Sequence, residues 1–172
     1  MTFVDTNVIM YAVGRDHPLR QEARALFEDA LESGDALVTS AEVVQELLHA
    51  YLGPGRLETL DAALALVRAR IPTVWSTDPG DVELARLLVE QHPGLGARDL
   101  IHLACCMRRK VTRVATFDRA LAAAFGLRFR VPEFRTGVPP LDTSPFPALL
   151  GRSDVTTDGT AKLSRRFRGI RS

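Results

Sequence analysis

The sequence predicts an α/β fold with a mostly parallel sheet flanked by helices. Two observations carry that expectation. Short apolar segments of strand length alternate with longer segments whose apolar residues recur at helical spacing, the order expected of strands joined by helical crossovers. Gly and Pro breaks also separate the segments, as at Gly14 to Pro18, at Gly34 and at Gly53-Pro54-Gly55.

The elements follow in order. Phe3-Val4, with Met1 and Thr2, reads as a short buried strand, and Val8 to Val13 as a helical turn. Pro18 suits the first turn of the next helix. Across 18–33, Ala23, Leu26, Phe27, Ala30 and Leu31 recur at helical spacing until Gly34 ends the element. Ala36-Leu37-Val38 is a second strand. Ser40 is a good N-cap for a helix through Leu52, whose apolar sector is Val43, Val44, Leu47, Leu48, Tyr51 and Leu52. Leu57 to Arg70 is a further helix, and Thr73-Val74-Trp75 a weak strand. Asp78-Pro79 is an N-cap and first-turn pair opening a helix to about Gln91. After the loop Pro93-Gly94-Leu95-Gly96, Ala97 to Arg109 is a helix that is apolar on most of its circumference. Val111 to Ala115 reads as a strand, Asp118 to Phe125 as a helix and Arg128 to Val131 as a last strand.

The 172 residues suggest one domain with something left over. The domain is expected over 1–135. Residues 136–172 crowd Pro139, Pro140, Pro145 and Pro147 together before a stretch rich in Ser, Thr, Gly and Asp. They read as an irregular tail, or as a segment ordered only against a partner. With 46% hydrophobic and 25% charged residues the composition is that of a globular chain. No apolar run approaches the ~18 residues of a membrane span, and the N-terminus lacks the basic start of a secretory signal. Cys105 and Cys106 are adjacent, which suits neither a useful disulfide nor a structural zinc site. A cytoplasmic protein with two buried thiols is expected. The net charge of +1 divides into a tail of +3 and a body of −2, so no strongly basic body announces nucleic acid. All but two of the 22 basic residues are arginine, which reads either as suited to phosphate contacts or as codon usage alone.

The chemistry lies in the acids. Ligands of open α/β sheets gather outside the carboxyl ends of the strands. Asp5 directly follows one apolar strand, and Asp118 follows Ala115 by three residues, so both are expected at one rim. Asp5 also fits a plain helix N-cap. Asp99 opens the mostly apolar helix and is expected to lie inside with it. A helix dipole offsets only part of the cost of desolvating an ion, so Asp99 needs a cation: Arg98 or a metal. Glu46 sits at the edge of its helix's apolar sector, where it reads either as a cleft residue or as a solvated surface acid. Carboxylates that converge on one point require a cation. Oxygen donors without Cys or His select Mg²⁺ or Mn²⁺, ions that polarise phosphoryl oxygens and activate water. His102, three residues after Asp99, reads as a hydrogen-bonded core histidine or as a residue facing the site, and His49 as a surface residue.

Four segments carry a family resemblance. Phe3-Val4-Asp5-Thr6-Asn7-Val8, Ser40 with Val43-Val44-Gln45-Glu46, Ala97-Arg98-Asp99-Leu100-Ile101-His102-Leu103-Ala104 and Val114-Ala115-Thr116-Phe117-Asp118-Arg119-Ala120-Leu121 resemble the PIN-domain family. More narrowly, they are similar to VapC-type toxins of bacterial toxin–antitoxin pairs. The resemblance covers roughly residues 1–135. It implies a PIN-like three-layer α/β/α arrangement with a short, mostly parallel central sheet, and a metal-dependent endoribonuclease using Mg²⁺ or Mn²⁺. By motif, Asp5, Glu46, Asp99 and Asp118 would be catalytic, with Asp5, Asp99 and Asp118 holding metal. Thr6, Asn7, Arg98 and Thr116 would touch substrate or support the acids, Thr116 as a hydrogen-bond partner for a ligand or a metal-bound water. Arg15, Arg20, Arg56, Arg98 and Arg119 are candidates for RNA backbone contacts. The resemblance also implies a cognate antitoxin and a homodimer. Helices 18–33 and 41–70 are candidate walls for the antitoxin. Leu48, Tyr51 and Leu52 would offer it apolar contact unless they belong to the core. The tail has no counterpart in the family pattern.

Two other functions compete. One is a phosphatase with an Asp nucleophile, but Asn7 stands where such enzymes resemble Asp-x-Asp, and no catalytic Lys is evident. The other is a non-catalytic RNA- or protein-binding module on the same scaffold, against which stands the presence of all four acids.

Overall fold

Four strands and seven helices alternate through residues 1–126, the part of the chain described by this computed structural model. They are β1 (Thr2–Val4), α1 (Thr6–Val13), α2 (Arg20–Ser33), β2 (Leu37–Ser40), α3 (Ala41–Leu52), α4 (Leu57–Arg70), β3 (Thr73–Trp75), α5 (Pro79–Leu88), α6 (Ala97–Arg108), β4 (Val114–Ala115) and α7 (Arg119–Ala124). The strand expected at 128–131, the domain boundary at 135 and the tail at 136–172 lie outside the described residues.

The sheet has the order β3-β2-β1-β4, and every pairing is parallel. Central β1 is buried at all three residues, as expected of a strand with helices on both faces. Phe3 stacks on Trp75 with ring centroids 6.0 Å apart and meets the His102 ring of α6 at 5.5 Å. The main core joins Val4 and Val38 to Val8 and Ile9 of α1, Phe27 of α2, Val43 and Leu47 of α3 and Val67 of α4. A smaller cluster packs Ala85 and Leu88 of α5 on Leu100, Leu103 and Ala104 of α6.

Local chemistry sets the element ends. Ser40 Oγ accepts from Val43 N, so α3 begins directly at the end of β2. Asp78 and Asp81 form a reciprocal capping box at the start of α5. Gly34 closes α2 in the left-handed conformation, φ 69°. Several boundaries move from their sequence expectation. Asp5 caps α1 and starts it at Thr6, and Pro18 lies in the turn before α2 rather than inside it. Val111 is not in β4: with Lys110 at φ 56°, Val111 N donates to Cys106 O and Lys110 N to Met107 O, a Schellman closure of α6. The core reading of Leu48 and Leu52 also fails. They are 45% and 54% exposed, whereas Tyr51 is buried, because α3 turns its Val43–Leu47–Tyr51 stripe inward.

Asp81 has no solvent-accessible side-chain surface, and it receives Arg108 Nη1 at 2.7 Å and Arg109 Nη1 at 2.9 Å. These bonds fasten α5 to the C-terminal end of α6. They also hold the Asp81 carboxyl well below the usual carboxylate range, against the opposing effect of burial. Arg109 further lies over the Trp75 ring, 5.1 Å from its centroid. Cys105 and Cys106 are free, buried thiols.

Candidate active site at the strand ends

The chain leaves β1 toward β2 and β3 on one side and reaches the other side of β1 only with β4. The carboxyl ends of β1 and β4 therefore border the place where strand order reverses, the usual ligand site of an open α/β sheet. Asp5 stands at the end of β1, tied to β4 by its N–H on Ala115 O at 3.0 Å. Asp118 follows β4 and caps α7, accepting from Leu121 N at 2.8 Å. Asp99 lies in the first turn of α6, accepting from Gly96 N at 3.2 Å. Glu46 comes from the middle of α3. Three of the four acids thus sit at helix N-termini, where backbone N–H groups favour negative charge.

One line of hydrogen bonds runs from Glu46 to Asp118. Thr6 Oγ1 donates to Glu46 Oε2 at 2.5 Å, and Thr6 N donates to Asp5 Oδ1 at 2.7 Å. Thr116 Oγ1 donates to Asp5 Oδ2 at 2.6 Å and accepts from Asp118 N at 2.9 Å. Asn7 braces the same corner, with Nδ2 donating to Thr116 Oγ1 and Oδ1 accepting from Phe117 N, both at 3.1 Å. The single proton of Thr116 thus goes to Asp5 rather than to a ligand, and both ends of the Asn7 amide are engaged within the protein.

Asp5 is buried, and its carboxyl is pushed up to about 6. Burial is the largest cause, and the charges of Glu46 and Asp99 add to it against the opposing pull of His102 and Thr116. The half-buried Asp99 is raised too, by burial and then by Asp118. Burial also opposes ionisation of Glu46, but His102, Thr6 and Arg98 outweigh it and hold the carboxyl below its ordinary value. Arg98 Nε is 3.8 Å from Glu46 Oε1, and His102 Nε2 is 3.3 Å from the same oxygen. Glu46 is therefore no solvated surface acid: its side chain is 12% exposed. His102, at 1% exposure, is both a core histidine and a neighbour of the acids.

Among the described residues, no three His, Cys, Asp or Glu side chains already converge as a ligand cluster. The acids nonetheless share one field, each raising the cost of ionising its neighbours. Their donors are hard oxygens, two of the carboxyls resist ionisation, and Glu46 Oε1 is a buried oxygen with no hydrogen bond. This set fits a hard divalent cation.

The PIN domain family model matches residues 2–125. Ribonuclease VapC23 of Mycobacterium tuberculosis is 63% identical over 125 residues, 73% of this chain and 98% of that one. Ribonuclease VapC13 of the same organism is 37% identical over 128 residues, 74% of this chain and 98% of that one. The crystal structure of M. tuberculosis VapC20, titled a Sarcin-Ricin loop cleaving toxin, superposes with a TM-score of 0.62 at 19% identity, covering 72% of this chain and 95% of that one. The chain belongs to the PIN-domain family, and within it to the VapC ribonucleases. Proteins of this group generally work with divalent metal ions.

Sequence reasoning missed two features. The pairing of Glu46 with His102 joins helices distant in sequence, and only the spacing of His102 from Asp99 hinted at it. The Asp81 network was legible only as far as Asp78, the N-cap of α5.

Proposed function

We propose that this chain is an endoribonuclease toxin that hydrolyses RNA phosphodiester bonds with Mg²⁺ or Mn²⁺. The observation that carries the reading is the unbroken line of hydrogen bonds that gathers Glu46, Asp5 and Asp118 at the sheet's reversal point. Asp5, Asp99 and Asp118 would hold the ion, which when bound polarises a phosphoryl oxygen and lowers the pKa of water. Thr6 N–H and the Thr116 hydroxyl fix both oxygens of Asp5. Asn7 and Thr116 lock the β4–α7 turn, so that Asp118 keeps its place relative to Asp5. Glu46, held ionised by His102, Thr6 and Arg98, completes the site or accepts a proton from the attacking water. Arg98, 38% exposed, stands where an RNA phosphate would approach, beside the acids.

The same reading includes a cognate antitoxin, a homodimer and the cytoplasm as the place of action. Support for the antitoxin comes from the VapC relatives, and an open groove between α1, α2 and α4 is lined by Val13, Phe27 and Leu66 with Arg24, Glu28 and Arg70. Among the described residues no helix is long and apolar enough to cross a membrane.

The test is incubation of the full chain with RNA in Mg²⁺, in Mn²⁺ and in EDTA. Cleavage in metal alone, to products ending in 5′-phosphate, supports the reading. Cleavage in EDTA overturns the metal role. RNA binding without cleavage in any metal points to the non-catalytic module, and a trapped aspartyl-phosphate to the phosphatase.

A further inference from the structure

We propose that His102 is a positioning residue for the ribonuclease reaction, holding the Glu46 carboxylate in place through the close contact of its Nε2 with Oε1. The kinetic side of this inference rests on the ribonuclease reading above; its structural side does not.

His102 lies on α6 one turn after Asp99, with 1% of its side chain exposed. Its ring is backed by Phe3 of the central strand, centroid to centroid 5.5 Å. Nε2 faces Glu46 Oε1 at 3.3 Å, and a bare lone pair at that distance from a carboxylate would repel it. The proton therefore belongs on Nε2. Nδ1, at the other side of the ring, is buried without a hydrogen-bond partner. A role in packing alone leaves this arrangement without a reason, because a leucine would fill the space and bury no unpaired nitrogen. What the imidazole adds is a nitrogen 3.3 Å from Glu46 Oε1, while Thr6 Oγ1 holds the other oxygen at 2.5 Å. Two donors on two different oxygens fix the plane of the carboxylate. Arg98, also on α6, approaches Oε1 at 3.8 Å from the more exposed side. Glu46 is thus steered by one residue of α1 and two of α6, and His102 is the most shielded from solvent of the three. A misplacement of this kind away from the reacting atoms typically costs roughly 100-fold in rate.

The test uses the full chain and three variants, His102→Leu, His102→Gln and His102→Asn. A Gln amide nitrogen falls near the Nε2 position, whereas that of Asn falls near Nδ1. The expected result is a kcat roughly 100-fold down in the Leu and Asn variants, with KM and thermal stability near those of the parent, and substantial recovery in the Gln variant. Parent-like kcat in the Leu variant, or equal losses in all three, would overturn the proposal. A second arm needs no activity. Long-range ¹H–¹⁵N correlation spectra of the metal-free parent should show His102 carrying a proton on Nε2, and the crystal structure of the Leu variant should show the Glu46 carboxylate rotated. A ring protonated on Nδ1 alone, or a Glu46 unmoved in the Leu variant, would overturn it. If the parent cleaves no RNA in either metal, the ribonuclease reading fails, and the spectra and the crystal structure still decide whether His102 fixes Glu46.

Discussion

Asp5→Asn should stabilise the metal-free protein at neutral pH. The folded chain holds the Asp5 carboxyl at about 6 against 3.8 in a model peptide. At about 1.36 kcal/mol per unit, carrying that charge costs the fold about 3 kcal/mol once the pH is well above 6. The sign follows from proton binding: between the two pKa values the folded state holds the proton and the unfolded state does not, so stability falls as pH rises through this window and the cost is complete above it. Asn removes the charge and keeps an oxygen for Thr6 N. It loses the bond accepted from Thr116, because the Thr116 oxygen already receives two donors, a loss of about 1 kcal/mol. The net gain is about 2 kcal/mol, or roughly 5 °C in Tm. The assay is thermal and urea unfolding of both proteins in EDTA at neutral pH and near pH 4.5, where the parent has its proton back and the gap should nearly close. Mg²⁺ at about 100 times its Kd adds about 2.7 kcal/mol to the parent and should cancel the variant's advantage. An Asn variant no more stable than the parent in EDTA, or a gap that is the same at both pH values, would refute the reasoning. RNA cleavage should be abolished in the variant in either case.

Other expectations separate chemistry from architecture. Asp118→Asn keeps the α7 cap, whereas Asp118→Ala loses it and about 1 kcal/mol; both should lose RNA cleavage in Mg²⁺, and only the Ala variant should melt earlier. Asp81→Ala removes the buried carboxylate that Arg108 and Arg109 share and leaves them Asp78 alone, so it should lower the urea midpoint, by the same amount with or without metal. Because the folded Asp81 carboxyl lies below its ordinary value, its contribution is present above about pH 4 and disappears as the pH falls further. Burial pushes the Cys105 thiol up to about 12 and raises Cys106 as well, so neither should react with iodoacetamide at pH 8 until guanidinium unfolds the chain.

What was legible in the sequence was whatever short-range chemistry decides. Ser40, Asp78 and Gly34 punctuate the helices by bonding to their own neighbours in the chain, and each does so in the fold. The rim position of Asp5 and Asp118 followed from strands that end where apolar residues stop. Contacts between helices were less accessible. The periodicity of α3 defined an apolar stripe but not its centre, so Leu48 and Leu52 were placed a little too far inward. Of the two cations the sequence offers Asp99, Arg98 lies beside Glu46 with His102, while Asp99 itself caps its helix at Gly96 N. The Asp81 network joins residues 27 and 28 positions apart, and it depends on how α5 docks against α6. The lone proton of Thr116 could not have been assigned before its neighbours were known. It bonds to Asp5 because Asn7 Nδ2 and Asp118 N occupy the oxygen's acceptor side.

The central claim is that acids from four separate elements make one cation site. Crystals soaked in Mn²⁺ and measured at a wavelength where manganese scatters anomalously test it most directly. The account predicts one anomalous peak about 2.0–2.3 Å from carboxylate oxygens of Asp5 and Asp99, close enough to Asp118 for a bond or a bridging water. A map with no peak at the carboxyl ends of β1 and β4, under conditions where the protein cleaves RNA, would contradict it.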